Sequence, residues 1–265
     1  VNFYNQRNRQ TWEYIKKHQE ALLIGYLIAG DTTPEKSLKL IENAVLAGLD
    51  ILELGIPSKN PYLDGPIIQA GHTRVNQNLD HWFLPFWKQV RQRIQKPIWA
   101  MSYQADLFQS DIYEQLVTNR LIDALLVPDC SPEEREQLAL EIKDYGVDVV
   151  QFIQPNMSDQ EINKIARHAS ILYGQTYTGA TGSPSATLGN LPAFYERIKG
   201  QTSALTVAGF GIQTPEHVRT VIESGFDGVV VGSALVECCI DDRQNKLYEL
   251  IAEMKSQTDL YEIKG

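Results

Sequence analysis

The chain has 265 residues, 43% of them apolar and 22% charged, a balance that suits a globular protein able to bury a sizeable core. Its formal net charge is -9 and it carries no block of Lys or Arg, which argues against nucleic acid or an anionic membrane as the main partner. An anionic small molecule stays possible, because a few backbone N–H groups bind phosphate inside an acidic protein.

No apolar run approaches the length of a membrane span and no signal peptide is legible. Cys130 stands alone and Cys238 and Cys239 are adjacent, which is neither a disulfide framework nor a metal-ligand spacing. A reducing cytoplasm is the expected compartment.

In chain order, the segment through His18 predicts an extra helix that closes the bottom of the fold. Residues 21–30 (ALLIGYLIAG) read as a buried strand. Residues 34–48 read as a helix, with Thr32 or Thr33 near its cap and Gly48 just past its end. Residues 50–56 (DILELGI) form the second strand, followed by helical stretches over 67–78 and 81–95. Further strands are predicted at 97–103, 122–128, 147–154 and 171–176, with helices between them. Residues 204–210 (ALTVAGF) and 228–232 (GVVVG) complete a set of eight. Strand–helix alternation predicts a parallel sheet covered by helices. Eight such units predict a single closed (β/α)8 TIM barrel, an α/β fold, rather than an open sheet.

Residues 177–189 (YTGATGSPSATLG) form the longest irregular stretch. They follow strand six on the mouth side of the barrel, where loops serve as lids; an ordinary connection is the plainer reading.

Glu53 interrupts an otherwise apolar strand. Alternation sends Leu52 and Leu54 to one face and Glu53 to the other, so the leucines face the helices and Glu53 points into the barrel near its upper end. A carboxyl group that loses solvation there favours its protonated form and becomes a useful acid near neutral pH. The alternative is a Glu neutralised by a buried Lys or Arg. Asp64 lies in the following loop, 57–66 (PSKNPYLDGP). Asp-Gly is a common turn pair, but two carboxyl groups in different surroundings divide acid and base roles.

A phosphate site is expected from three pieces. Gly209-Phe210-Gly211 follows strand seven, Gly232-Ser233 follows strand eight and opens a short helix through Val236, and Gly182 lies in the loop after strand six. Glycines allow close approach of backbone N–H groups to an anion, and phosphate sites recur after strands seven and eight of this fold. Of His18, His72, His81, His168 and His217, which share no metal-like spacing, most read as surface or capping residues. Trp12, Trp82, Trp87 and Trp99 read as packing groups.

Taken together, Leu52-Glu53-Leu54-Gly55-Ile56-Pro57, Asp64-Gly65-Pro66-Ile67-Ile68-Gln69, Leu126-Val127-Pro128-Asp129, Thr178-Gly179-Ala180-Thr181-Gly182, Gly209-Phe210-Gly211-Ile212 and Gly232-Ser233-Ala234 resemble the α subunit of tryptophan synthase along nearly the whole chain. The resemblance implies a lyase that cleaves indole-3-glycerol phosphate to indole and glyceraldehyde 3-phosphate by a retro-aldol reaction, with no metal or organic cofactor. It makes Glu53 the catalytic acid and Asp64 the acceptor for the indole N–H. Tyr173 matches a tyrosine near that Glu, Thr181 a threonine of the closing loop, and Gly182, Gly211, Gly232 and Ser233 the phosphate site.

Three segments depart from the family pattern. Ser58-Lys59-Asn60-Pro61 stands where Phe-Ser-Asp-Pro is usual, in the loop that contacts the tryptophan synthase β subunit. The end of strand three, Met101 to Asp106, lacks the usual Tyr-Asn-Pro-type pattern, and Tyr177 replaces a more polar residue. These changes put coupling to a β subunit in question. They leave two other readings open: a non-catalytic homologue that binds a phosphorylated ligand and regulates a partner, or an enzyme for another phosphorylated substrate.

Overall fold

The computed structural model describes residues 2–75, 78–108, 111–176, 190–209, 211–240 and 243–259. The strands are β1 Leu22–Ile28, β2 Ile51–Gly55, β3 Ile98–Met101, β4 Ala124–Leu126, β5 Asp148–Val149, β6 Gln151–Ile153, β7 Ile171–Gln175, β8 Leu205–Gly209 and β9 Gly228–Val231. All their pairings are parallel, in the order β5-β4-β3-β2-β1-β9-β8-β7-β6. The two ends of that order, β5 and β6, are separated in sequence by Val150 alone. Residues 148–153 are therefore one strand that pairs with β4 through its first half and with β7 through its second. Val150 N–H still bonds the Leu125 carbonyl at 3.0 Å. The nine ladder segments thus make the eight strands of a closed barrel, as the alternation of elements predicts.

The helices are α1 Gln6–His18, α2 Pro34–Ala47, α3 Pro66–Arg74, α4 Phe83–Arg93, α5 Gln104–Phe108, α6 Ile112–Thr118, α7 Pro132–Ile142, α8 Asp159–Ala166, α9 Leu191–Lys199, α10 Pro215–Glu223, α11 Ser233–Glu237 and α12 Gln244–Ser256. Local chemistry sets several starts. Thr33 caps α2 by accepting from the Lys36 N–H, and Ser131 with Glu134, and Ser158 with Glu161, form reciprocal capping boxes for α7 and α8. Each satisfies N–H groups that a helix start leaves without partners. The predicted elements all form, trimmed by a few residues at their ends. The predicted helix over 81–95 begins instead with a short 3-10 turn at Leu79–His81 before α4.

Two apolar layers follow from strand alternation. Leu52 and Leu54 pack outward against the helices, with Trp87, Leu116 and Ile251 in the same cluster. Ile24, Ile51, Trp99, Val150 and Val207 fill the barrel interior. Full burial of one such aliphatic side chain contributes about 1.5–3 kcal/mol, so packing rather than helix propensity holds the outer layer.

The N-terminal helix closes the bottom, as expected. Phe3 and Ile15 join the interior cluster. Asn8 Oδ1 accepts from Trp99 Nε1 at 2.9 Å, and Asn8 Nδ2 donates to Asp148 Oδ2 at 2.8 Å. Asn5 Nδ2 donates to Asp123 Oδ1 at 3.0 Å. Trp99 is thus both a packing group and a buried donor with its partner supplied, which offsets the cost of burying its N–H.

Candidate active site

β2 carries Glu53 on the inward face, in register with Tyr26 of β1 and Trp99 of β3. The carboxyl is 5% exposed, and its Oε2 has no hydrogen-bond partner among the described residues. The ion-pair alternative for Glu53 finds no support: no salt bridge involves it among the described residues. Burial first, and the nearby Asp64 second, push its pKa up to about 8. A desolvated carboxyl with a second carboxyl beside it resists ionisation, so Glu53 carries its proton at neutral pH.

Asp64 reaches the same cavity from the loop before α3. Burial pushes its pKa up to about 6, while a hydrogen bond from Tyr103 opposes that rise. Tyr103 Oη donates to Asp64 Oδ2 at 2.7 Å. At neutral pH Asp64 is therefore mainly ionised and Glu53 mainly protonated, the division of roles that two carboxyls in one cavity need.

The residues lining this cavity include Glu53, Asp64, Tyr173, Gly211, Gly232 and Ser233, together with Tyr26, Ile68, Met101, Ile212 and Val230. Ile68, Met101, Ile212 and Val230 give it apolar lining. Gly211, with φ +76° in the turn after β8, and Gly232 at the start of α11 also border it. No Lys or Arg is among the described lining residues, so an anion here depends on backbone N–H groups and the Ser233 hydroxyl.

Six of the eight residues expected at the site meet in this cavity: Glu53, Asp64, Tyr173, Gly211, Gly232 and Ser233. Thr181, Gly182 and Phe210 lie outside the described residues, as does the whole of the loop 177–189. His72 departs from the expectation that histidines sit at the surface or at caps. It is 1% exposed and stands 3.7 Å from Asp64 Oδ2 through Nε2. Burial pushes its pKa down to about 4, so it is neutral. α3, which carries it, is held to the loop after β1 by paired hydrogen bonds from Arg74 to Asp31 at 2.8 and 2.6 Å. β1 is apolar and buried on both faces, so its alternation alone did not mark Tyr26 as a site residue. Nothing in the sequence brought Tyr103 or His72 to Asp64.

Comparison with known proteins places the chain in a family. Residues 12–263 match the family model for the tryptophan synthase alpha chain. The chain belongs to the tryptophan synthase alpha chain family. It is 31% identical over 229 residues to the alpha chain of Methanoregula boonei, covering 84% of this chain and 86% of that one. With the alpha chain of Arabidopsis thaliana it shares 32% over 236 residues, covering 86% and 85%. The crystal structure of the alpha subunit from Legionella pneumophila strain Paris superposes with a TM-score of 0.81 at 29% identity, covering 96% of this chain and 98% of that one. Membership makes the chain a carbon–carbon lyase of tryptophan biosynthesis acting on indole-3-glycerol phosphate. The family associates with a tryptophan synthase β subunit.

Proposed function

We propose that Glu53 and Asp64 carry the cleavage of indole-3-glycerol phosphate in this cavity. The observation that supports it most is that the two carboxyls line one cavity in different surroundings: Glu53 is buried with Oε2 unpartnered among the described residues, and Asp64 accepts from the Tyr103 hydroxyl. Glu53 gives its proton to indole C3, and Asp64 accepts the indole N–H hydrogen bond and stabilises the positive charge that develops on the ring. The Glu53 carboxylate then takes the proton of the chain hydroxyl next to the breaking bond. The C–C bonding pair returns to the ring, which releases neutral indole, while the hydroxyl carbon becomes the aldehyde of glyceraldehyde 3-phosphate. Glu53 ends protonated, as it began.

Gly211, Gly232 and Ser233 hold the phosphate, and Tyr173 packs beside the reacting chain; we assign Thr181 and Gly182 to substrate binding on the family resemblance alone. Three cysteines free of disulfides, and no described helix long and apolar enough to cross a membrane, suit an enzyme of the cytoplasm. Coupling to a typical β subunit is weak, because Lys59 and Asn60 are both exposed on the loop after β2 and replace a carboxylate acceptor with a cation and an amide. The test is to incubate the purified chain with indole-3-glycerol phosphate and to measure indole and glyceraldehyde 3-phosphate in equal amounts. Absence of both, with and without a β subunit, would contradict the reading.

A further inference from the structure

Tyr26 stands in register with Glu53 and lines the same cavity. Its hydroxyl lies over Gly55, where a Cβ would collide with it, and 3.3 Å from His72 Nε2. The direction of that hydrogen bond is set on the far side of the imidazole. The Ser58 N–H donates to His72 Nδ1 at 3.1 Å, so Nδ1 presents a lone pair. A neutral imidazole has one N–H, which then sits on Nε2 and donates to Tyr26 Oη. A hydroxyl that accepts from His72 keeps its own hydrogen to donate elsewhere, and the ring of Tyr26 borders the space a ligand would fill.

We propose that Tyr26, oriented by His72, is a hydrogen-bond donor to a hydroxyl oxygen of the substrate chain between the ring and the phosphate. Tyr26 touches the substrate; His72 is a positioning residue that acts through it, and Ser58 ties both to the loop after β2. The proposal rests on the reading of the ligand as indole-3-glycerol phosphate. A site that donates to a substrate hydroxyl discriminates against an analogue lacking it, because its polar group is then left unpaired.

The experiment compares Tyr26→Phe, His72→Gln and His72→Leu with the unsubstituted chain. Two ligands are used: indole-3-glycerol phosphate, and indole-3-propanol phosphate, which has the ring and phosphate but neither chain hydroxyl. Tyr26→Phe is expected to lower kcat/KM for the first roughly 3- to 10-fold, the worth of one neutral hydrogen bond, and to leave Kd for the second unchanged. His72→Leu is expected to follow Tyr26→Phe, while His72→Gln, whose amide still donates, retains the discrimination. In the unsubstituted chain, 15N spectra are expected to show His72 as the Nε2–H tautomer. Equal effects on both ligands, no effect on either, or the opposite tautomer would overturn the proposal. Should the unsubstituted chain release no indole, the functional reading fails instead. Glycerol 3-phosphate then serves as the probe: weaker binding by Tyr26→Phe supports the donor role, and equal binding removes it.

Discussion

The Tyr103 hydroxyl donates to Asp64 Oδ2 at 2.7 Å, joining the segment after β3 to the loop after β2 across the mouth of the barrel. That bond favours the ionised carboxylate and opposes the upward push of burial on Asp64.

Tyr103→Phe removes the bond and leaves the burial. The pKa of Asp64 is expected to rise above its present value of about 6, and the acidic limb of the kcat/KM profile for indole release to move up with it. A limb that stays in place would show that Asp64 does not govern it.

Stability carries the mark of Glu53. The folded chain holds this proton up to about 8, whereas an ordinary Glu releases it near 4.5, so stability falls as pH rises through that window. Asp64 has the same sign between 3.8 and about 6. His72 has the opposite sign between about 4 and 6.5, where the unfolded chain binds the extra proton. Of these three groups only Glu53 titrates between 6.5 and 8. Glu53→Gln is therefore expected to raise Tm relative to the unsubstituted chain, with a gap that widens from pH 6.5 to pH 8 in thermal unfolding curves. A pH-independent gap would mean that Glu53 is not held protonated by the fold.

The anion site is tested at Gly211, whose φ of +76° already disfavours other residues. Gly211→Ala is expected to weaken glycerol 3-phosphate binding by titration calorimetry roughly tenfold or more, since a misplaced turn loses hydrogen bonds to a charged group. Its far-ultraviolet circular dichroism is expected to stay unchanged. Unaltered affinity would move the phosphate elsewhere.

Partner coupling is tested on the exposed loop after β2. Asn60→Asp restores a carboxylate, and the double change with Lys59→Ser also removes the cation. Titration of a typical tryptophan synthase β subunit is expected to activate the double variant more strongly than the unsubstituted chain. Tight binding and strong activation of the unsubstituted chain would contradict weak coupling.

Much of this could be read along the chain. Glu53 betrayed itself as one carboxylate in an apolar strand whose period-two alternation fixes its face, and the glycines at the ends of β8 and β9 pointed to the anion side. Tyr26 was not legible: β1 is apolar on both faces, so no alternation fixes which way its tyrosine points. His72 and Tyr103 were not legible. They come from α3 and from the segment after β3, and they meet Asp64 only when the barrel closes. A histidine on a short helix gives no sign of its depth until neighbouring elements cover it. The interruption at Val150 was equally hidden, because it marks where one strand exchanges one neighbour for the other.

The most direct test of the central claim is the pH dependence of indole release from indole-3-glycerol phosphate by the purified chain, measured beside Glu53→Gln. The unsubstituted chain is expected to show a bell whose limbs fall near 6 and 8, set by the pair Asp64 and Glu53. Glu53→Gln, which keeps the shape and loses the proton, is expected to fall by roughly 10²-fold or more across that range. Turnover by Glu53→Gln close to that of the unsubstituted chain would contradict the assignment of Glu53 as the acid.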